Sequence, residues 1–456
     1  MLKKINIRTA ALTILCCVTS VSIADTQRMS LPEYLQNALN NDQVKQIILD
    51  ERVLTDNYII DRDMDDWSFT LGAGNTFLLS QGNASSPVLS AATSKLILNT
   101  GTEFAASYSR TRSSVSSKDQ NKIDISINQP LFQNHFGYQN RIKEEKLKKS
   151  RDLSRLQVIE SYETYYMELM NLYYDWYLAY MERESAIKLY KDYDLLFKDI
   201  LARKKNHIAR DLDVNKVKVQ LLEKRENLIA QKNNFKTYTD KIRKTINVDV
   251  SDLVVPVIPD PYELDVLEGE ESLLLRSRTE AELQLDLVVS SLDLKIERDN
   301  LNVPVDFEAS YQLTNYPDGS SSDQSTLYSG VSLPFPFYNR QDKASVRLAN
   351  TVYSQLILEQ EEARRDWFNT LRQLQNAIAD EEEYLEIYRR KVEYLTSIAT
   401  DEKKNYLRGQ ASLNELIQAM GNLENAEKKA IQHQVQLEKY KIEWLALTDK
   451  LIQDLL

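Results

Sequence analysis

Cysteine, glycine and proline are all scarce in this chain of 456 residues. It holds two cysteines, ten glycines and ten prolines, and neither glycine nor proline occurs between Tyr138 and Val255. Since these two residue types interrupt helices, their scarcity favours a mostly helical protein. Both cysteines, Cys16 and Cys17, lie near the N-terminus, so the remainder of the chain cannot contain a disulfide.

The chain also has no net positive charge, and it has only three histidines. The formal net charge is −11, so we do not expect nucleic acid as a partner. The three histidines (His135, His207 and His433) have no metal-ligand spacing with another histidine or cysteine. Gly72-Ala73-Gly74 lacks the strand-to-helix context and later glycines of a nucleotide-binding loop, and there is no nucleophile elbow. The sequence therefore predicts no enzyme, no cofactor and no metal site.

The first 24 residues have the pattern of a secretory signal peptide. Three basic residues precede an apolar stretch at residues 9–21, and Ser22-Ile23-Ala24 fits a cleavage site. A membrane anchor is the alternative, but the apolar stretch is too short to span a bilayer. Lipid modification of Cys16 stays open, although Leu15 precedes it where lipoprotein signals have a small residue. Nothing later approaches 18 continuous apolar residues, so we expect any membrane insertion to use strands.

A long helix-patterned run without glycine or proline occurs twice. Asn140-Arg141 matches Asn339-Arg340, and Lys204-Lys205-Asn206 matches Lys403-Lys404-Asn405, both at an offset of 199 positions. Each run predicts a helix of roughly 100 Å at about 1.5 Å per residue. Breaks at residues 210–213 and 408–410 lead to return helices, giving hairpins at 140–247 and 339–455. A tyrosine-rich band at residues 162–180 is expected to pack between helices. The second long run is expected to carry a coiled-coil seam that includes residues 367, 374 and 385.

Two stretches, residues 67–132 and 305–337, alternate between apolar and polar residues as strands do. They predict four strong strands, or six if residues 93–110 form an extra hairpin. Stretches rich in serine, asparagine and glycine at residues 80–86 and 113–121 are expected to be exposed loops. A soluble sheet gives the same alternation. The strands nevertheless have the length of about 9–11 residues that transmembrane strands need, and even six are fewer than the eight of the smallest outer-membrane barrels. Because a bilayer tolerates no open sheet edge, spanning strands would have to be pooled between subunits.

These patterns divide the chain into two repeats. We expect a signal peptide at 1–24, a first repeat at 25–255, a linker at 256–272 and a second repeat at 273–456. In each repeat a helix, at residues 31–65 or 273–300, precedes the strands and the long hairpin. Two length-matched long hairpins are typical of a tube, a coiled-coil rod or a scaffold.

Several short motifs resemble TolC-type outer membrane efflux proteins, over essentially the whole mature length. Their order, repeated at matched spacing, is more specific than any one of them. The motifs are Leu31-Pro32-Glu33-Tyr34-Leu35-x-x-Ala38-Leu39-x-Asn41, Asn128-Gln129-Pro130-Leu131-Phe132, Leu333-Pro334-Phe335 leading to Asn339-Arg340, and Asn405-Tyr406-Leu407-Arg408-Gly409-Gln410-Ala411-Ser412-Leu413-Asn414-Glu415-Leu416. The resemblance implies a mainly α fold: long antiparallel coiled-coil helices forming a trimeric α-barrel, plus strands of a shared transmembrane β-barrel. It also implies a homotrimer in outer membrane lipid, served by a periplasmic adaptor and an inner-membrane pump.

The same resemblance implies a gate at the hairpin turns. It places Glu415 and Gln418 in the pore, where three Glu415 carboxylates would favour cations; the alternative is an ordinary exposed residue in the first turn of a helix. At the 199-residue offset, Arg210 stands where the second repeat has Gly409, and Lys216 stands at the Glu415 position, so a Lys216–Glu415 contact is expected to hold the gate shut. The residues expected to dock an adaptor are Arg210, Asp211, Leu212, Asp213, Arg408, Gly409, Gln410, Ala411 and Ser412.

Two functions from different classes fit the sequence. The first is a trimeric exit duct of a tripartite efflux or type I secretion system. The second is a periplasmic coiled-coil scaffold or adaptor with a soluble β domain. The sequence does not identify the exported cargo.

Overall fold

The computed structural model describes residues 28–62, 66–78, 84–112, 119–247, 254–262, 264, 269–317, 322–334 and 339–452. The predicted signal peptide, with Cys16, lies outside these residues. The chain forms two compact units. We call them the helical unit (described residues of Met1–Leu49, Val158–Arg278 and Arg364–Leu456) and the sheet unit (described residues of Asp50–Gln157 and Thr279–Ala363).

The helices are dominated by two long antiparallel pairs. In chain order the helices are α1 (Leu31–Ala38), α2 (Asp42–Asp61), α3 (Tyr138–Lys205), α4 (Asp211–Ile246), α5 (Glu270–Arg276), α6 (Arg278–Asp299), α7 (Arg340–Leu407) and α8 (Leu413–Leu447). Both α3 and α7 have 68 residues, which confirms two long helices of equal length. No helix among the described residues combines the length and hydrophobicity needed to cross a membrane.

The sheet unit contains one six-stranded sheet. In chain order the strands are β1 (Arg28–Met29), β2 (Ser68–Leu78), β3 (Ala84–Ile97), β4 (Thr102–Arg112), β5 (Asp119–Pro130), β6 (Val255–Pro256), β7 (Asp306–Asn315) and β8 (Gln324–Ser332). The sheet has the order β2-β3-β4-β5-β7-β8, and every neighbouring pair is antiparallel. The two short strands β1 and β6 pair in parallel within the helical unit.

The strand register gathers the large apolar side chains on one face of the sheet. Opposite each other in adjacent strands are Leu71 and Ala91, Ala91 and Tyr108, and Tyr108 and Ile123. Side chains alternate between the two faces along each strand. On the opposite face one row of paired residues across the six strands is small or polar: Thr70, Ala92, Ser107, Asp124, Gln312 and Thr326. The large residues of the apolar face are exposed in the chain, including Leu71 at 73% and Leu327 at 77%.

The tyrosine-rich band of α3 is packed between helices, as predicted. Tyr173 and Trp176 are fully buried against Phe235 of α4 and Ile442 of α8. The Tyr173 hydroxyl lies 2.8 Å from the carbonyl oxygen of Met29 and 2.7 Å from that of Val257. It therefore joins α3 to the strands β1 and β6. Burial raises the pKa of the Tyr173 hydroxyl well above its usual value, so it is neutral and can donate.

A second core row runs along α7. Trp367, Leu371 and Leu374 are buried against Leu437 and Trp444 of α8. Leu385 continues this row, in agreement with the predicted seam through residues 367, 374 and 385. Both long hairpins thus close on themselves through apolar rows at helical spacing.

Two predicted helices are divided in the structure. The helix predicted at 31–65 is two helices, α1 and α2, because the Asn41 side chain accepts a hydrogen bond from the Val44 N–H at 3.0 Å and starts a new helix. The helix predicted at 273–300 is broken at Ser277, whose backbone is extended (φ −69°, ψ 147°). In both places a short polar side chain offers the backbone an alternative partner.

The strand boundaries also differ from the prediction. Strand β3 begins at Ala84, inside the loop predicted at 80–86, and β5 begins at Asp119, inside the loop predicted at 113–121. The last strand ends at Ser332 instead of continuing to 337; residues 335–338 are outside the described residues. The extra hairpin at 93–110 is part of the six-stranded sheet, so six strands, not four, are present.

Candidate functional site: the hairpin turns

Each long hairpin reverses direction in a five-residue turn. The first turn, residues 206–210, joins α3 to α4, and the second, residues 408–412, joins α7 to α8. Each contains one residue with a left-handed backbone, His207 (φ 53°) and Gly409 (φ 76°). A left-handed residue directly after a helix is a common way to end it. The breaks predicted at 210–213 and 408–410 therefore lie close to the observed turns, although the first observed turn begins four residues before the predicted break.

Both return helices begin with a carboxylate cap, which is reciprocal only in the second turn. The Glu415 carboxylate accepts a hydrogen bond from the Ser412 N–H at 2.7 Å, while the Ser412 hydroxyl accepts one from the Glu415 N–H at 3.3 Å. In the first turn the Asp213 carboxylate accepts from the Arg210 N–H at 3.3 Å. The bond from the Ser412 N–H, followed by that with its side chain, lowers the pKa of Glu415. Glu415 is therefore a stably charged helix-capping residue.

The caps show that the two turns correspond at an offset of 202, not 199. Helices α4 and α8 begin at 211 and 413, and helices α3 and α7 end at 205 and 407; both differences are 202. Arg210 thus corresponds to Ser412 and not to Gly409, and Lys216 corresponds to Gln418 and not to Glu415. The predicted correspondence was wrong because repeated lysines on an exposed surface fix no backbone position, whereas a capping pair does.

A small apolar core holds the two turns together. We call it the tip cluster; Ile200 and Val217 are fully buried in it, and Leu416 is 1% exposed. Its buried members are Ile200, Val214, Val217, Tyr406, Leu413 and Leu416. Since truncating a buried leucine to alanine costs about 2–5 kcal/mol, this cluster decides whether the turns stay ordered.

Arg203 ties the first hairpin to the end of α7. Its guanidinium pairs with Asp199 at 2.8 Å and lies 4.7 Å from the centre of the Tyr406 ring. It also donates to the carbonyl oxygens of Tyr406 at 3.4 Å and Leu407 at 3.5 Å. These are among the carbonyls that a helix leaves without partners at its C-terminus. Arg203 is not among the residues predicted from sequence; the signal that could have found it is its i, i+4 pair with Asp199 in the last turn of α3.

The remaining predicted residues lie on the exterior of the turns. Lys216 donates to the Asn414 side chain at 3.1 Å, so among the described residues it contacts the neighbour of Glu415 and not Glu415 itself. Asp211 pairs with Lys204. Exposed residues at the turns are Arg210, Leu212, Arg408, Gly409, Gln410, Ser412 and Gln418, with Ala411 half-buried. The pore-lining and docking roles of these residues remain predictions.

Beside the turns lies a groove of about 530 Å³ between α3, α7 and α8. Its floor is apolar and includes Leu196, Ala399 and Met420, and its edge carries Lys188 and Glu427. Those two charged residues form an ion pair at 3.3 Å. The groove therefore offers apolar surface within a charged border.

A carboxylate cluster lies elsewhere in the helical unit. Glu160, Glu163 and Asp449 bring their oxygen atoms within 4.8 Å of one another. The Arg278 guanidinium contacts all three, at 3.2 Å from Glu160 and 2.8 Å from Asp449. We interpret it as a partly buried ion-pair network, with Glu163 buried and Glu160 exposed, that joins α3, α6 and the segment after α8.

No protein-family model matches the chain, and no curated protein matches it in sequence. Solved structures match over nearly the whole length. CusC, in a study of its folding and transmembrane channel formation, superposes with a TM-score of 0.72 at 10% identity, covering 91% of both chains. The open-state MtrE outer membrane channel of Neisseria gonorrhoeae gives 0.71 at 14% identity, covering 95% of this chain and 94% of MtrE. The outer membrane protein VceC of Vibrio cholerae gives 0.70 at 9% identity, covering 92% and 96%.

The chain therefore has the fold of outer membrane channel proteins. More particularly, its long antiparallel helical hairpins and antiparallel sheet, repeated along the chain, are the TolC-type outer membrane factor fold. The resemblance seen in the sequence motifs is confirmed at the level of fold.

Proposed function

We propose that this protein is an outer membrane channel of a Gram-negative bacterium, with a large periplasmic part. Three copies form the passive exit duct of a tripartite efflux or type I secretion system. A periplasmic adaptor docks at the hairpin turns, and an inner-membrane pump supplies energy and cargo. The protein is not an enzyme in this proposal.

The observation that carries the proposal is the six-stranded sheet with an exposed apolar face. Its strands have 9 to 14 residues, enough to cross a bilayer. Strands β2 and β8 each pair on one side only among the described strands, and six strands are fewer than a single-chain barrel requires. Closing the wall with copies of the same chain removes both edges and places the apolar face in lipid.

The helices support assembly with further copies. Val219, Leu222 and Ile229 of α4 are each more than half exposed, and Tyr394 of α7 is 68% exposed. Apolar residues in such a row are typical of an interface. Packing against the hairpins of neighbouring copies would cover them and form the periplasmic tube.

The hairpin turns support docking and gating. The 530 Å³ groove beside them presents apolar floor residues such as Leu196 and Met420, which suits an amphipathic helix of an adaptor. Glu415 is charged and exposed, so three copies around one axis would form an anionic ring that favours cations. Lys216 and Gln418 lie in the second turns of the return helices, about one turn further along than the level of Glu415.

The test is fractionation followed by electrical recording. The protein should resist salt extraction, dissolve in detergent, migrate as a trimer unless boiled, and conduct ions in planar bilayers. Release by salt as a non-conducting protein would support a periplasmic scaffold and refute the channel. For the gate, Glu415→Gln should lower the preference for cations, and Lys216→Glu should change single-channel conductance. An unchanged conductance in Lys216→Glu would refute a role for Lys216 at the gate.

A further inference from the structure

We propose that the hairpin β3–β4 is part of the membrane-spanning wall, so that three copies build a pore of eighteen strands. The inference rests on the proposed function and adds the size class of the pore. Four strands per copy would give twelve, and the hairpin raises this to six per copy. The alternative is that the hairpin lies outside the membrane as an accessory ribbon.

The hairpin β3–β4 is continuous with the rest of the sheet. Strand β3 is paired with β2 from Ala84 to Ser94 and with β4 from Val88 to Ile97. Strand β4 is in turn paired with β5 over ten residues, from Glu103 to Arg112. If the hairpin were a ribbon outside the membrane, β2 would lose its pairing with β3, and β4 would lose its pairing with β5.

The hairpin also keeps the two-faced pattern of its neighbours. On the apolar face Leu89 is 58% exposed and Ile97 is 44% exposed, alongside Tyr108. Lys95 and Arg110 lie on the same face, each two residues from an end of its strand. On the opposite face most residues of the hairpin are small (Ser90, Ala92, Ser94, Ala105, Ser107 and Ser109), with Val88, Leu96 and Glu103 nearer the ends of the β3–β4 ladder. Apolar outside and small or polar inside is the pattern of a strand that separates lipid from a water-filled lumen.

The turn of the hairpin is fixed to the start of α3. The Arg141 guanidinium donates to the carbonyl oxygens of Asn99 and Phe136, each at 2.5 Å. The Gln129 side chain donates to the Thr100 carbonyl at 2.9 Å. Gly137 lies so close that a Cβ atom there would be 2.5 Å from the Leu98 carbonyl oxygen. The β3–β4 turn is therefore held at the same end of the sheet as the last residues of β5.

The directions of the two edge strands allow copies of the sheet to join. Antiparallel pairing from β2 to β8 makes the two edge strands run in opposite directions. The β8 edge of one copy can thus pair antiparallel with the β2 edge of the next, and three copies of six strands close as eighteen. With strands about 4.8 Å apart and tilted about 40°, such a wall is roughly 36 Å across, against roughly 24 Å for twelve strands. The eighteen-stranded wall would therefore enclose a wider lumen than a twelve-stranded one.

The test uses single cysteines, since Cys16 and Cys17 are the chain's only cysteines and lie in the predicted signal peptide. Ala91→Cys and Ala92→Cys report the two faces of β3, and Ala309→Cys and Ser310→Cys report the same faces of β7 as matched controls. The full-length protein is reconstituted in phosphatidylcholine vesicles. Labelling by a charged maleimide, and quenching of a thiol-attached fluorophore by spin-labelled lipid, are then measured at each position.

We expect the charged maleimide to label Ala92→Cys and Ser310→Cys readily and to label Ala91→Cys and Ala309→Cys poorly. A fluorophore attached at either of the last two positions should be quenched by the spin-labelled lipid. If the β7 pair alternates but both β3 positions label without quenching, the hairpin is outside the membrane and the eighteen-stranded pore is wrong, while the channel stands. If neither pair alternates, the sheet is not in the membrane, and the proposed function fails together with this inference.

Discussion

Replacing Gly137 by alanine tests the anchoring of the β3–β4 turn. Gly137 has a φ of +72°, and an added Cβ would lie 2.5 Å from the Leu98 carbonyl oxygen and 2.6 Å from the Gly101 nitrogen. The left-handed backbone costs an alanine about 1–2 kcal/mol, and forcing apart two backbone segments adds about 1–3 kcal/mol. Together the variant should lose roughly 2–5 kcal/mol of local stability.

Gly409 provides a matched control. Its φ is +76°, but an added Cβ would have no atom of the described residues within 4 Å. Gly409→Ala should therefore show the backbone cost of about 1–2 kcal/mol without the steric cost. The pair separates backbone strain from close packing, since both glycines have nearly the same φ.

Hydrogen exchange of two amides measures the difference. The Gly101 N–H donates to the Ile97 carbonyl at 2.8 Å, and the Gln410 N–H donates to the Asn405 carbonyl at 2.8 Å. Gly137→Ala should accelerate exchange at Gly101 by roughly thirtyfold or more, since each 1.4 kcal/mol is a factor of ten. Gly409→Ala should affect only the Gln410 region, and less strongly. If Gly137→Ala accelerated Gly101 no more than Gly409→Ala accelerates Gln410, the close contact argued for the β3–β4 turn would be refuted.

Three further substitutions test the caps and the tyrosine-rich core. Ser412→Ala should cost about 1 kcal/mol at the start of α8, seen as faster amide exchange at residues 413–416, whereas Arg210→Ala at the equivalent position should change little because its side chain accepts no hydrogen bond; equal effects would contradict the capping geometry. Glu415→Gln should weaken the same cap at neutral pH. Because the folded pKa of Glu415 is lowered, its contribution is present above the ordinary value of 4.5 and is lost as the pH falls through the lower folded value, so the variant and the parent should converge there; a difference that persists in acid would refute this. Tyr173→Phe should lower stability by about 1–2 kcal/mol because it removes the hydrogen bonds of the hydroxyl with the Met29 and Val257 backbone, while Tyr174→Phe, whose hydroxyl has no hydrogen-bond partner among the described residues, should be nearly neutral; the reverse order would contradict the assigned contacts.

Helical periodicity predicted the long helices because their core faces repeat regularly. Trp367, Leu374 and Leu385 lie at spacings that only a helix brings to one face, and all three are buried. The breaks at Asn41 and Ser277 could not be read from the same signal, since the apolar pattern continues across both. They depend on single polar side chains or backbone angles that hydrophobic spacing does not encode.

The strands were predicted least well where their residues are small. Strand β3 contains Ser85, Ser86, Ser90, Ala91 and Ala92, and such residues give little apolar contrast between the two faces. Its first half was therefore taken for a loop. The ladder with β2 and β4 supplies the order that local sequence lacks, which is a non-local effect.

The candidate site was predicted by position but not by pairing. The motif around Ser412 and Glu415 locates the second turn, and the structure adds the reciprocal cap. The link from Arg203 to the Tyr406 carbonyl joins residues 203 positions apart, a distance at which one sequence gives no pairing signal. Lys216 was assigned to Glu415 by a repeat offset that the caps correct to 202.

The central claim is that copies of this chain pool their sheets into one membrane-spanning wall. Cryo-electron microscopy of the full-length protein in lipid nanodiscs tests it most directly. The account predicts a threefold particle with eighteen strands in the bilayer around one water-filled lumen. A single copy whose six-stranded sheet lies in solvent, with no density in the bilayer, would contradict it.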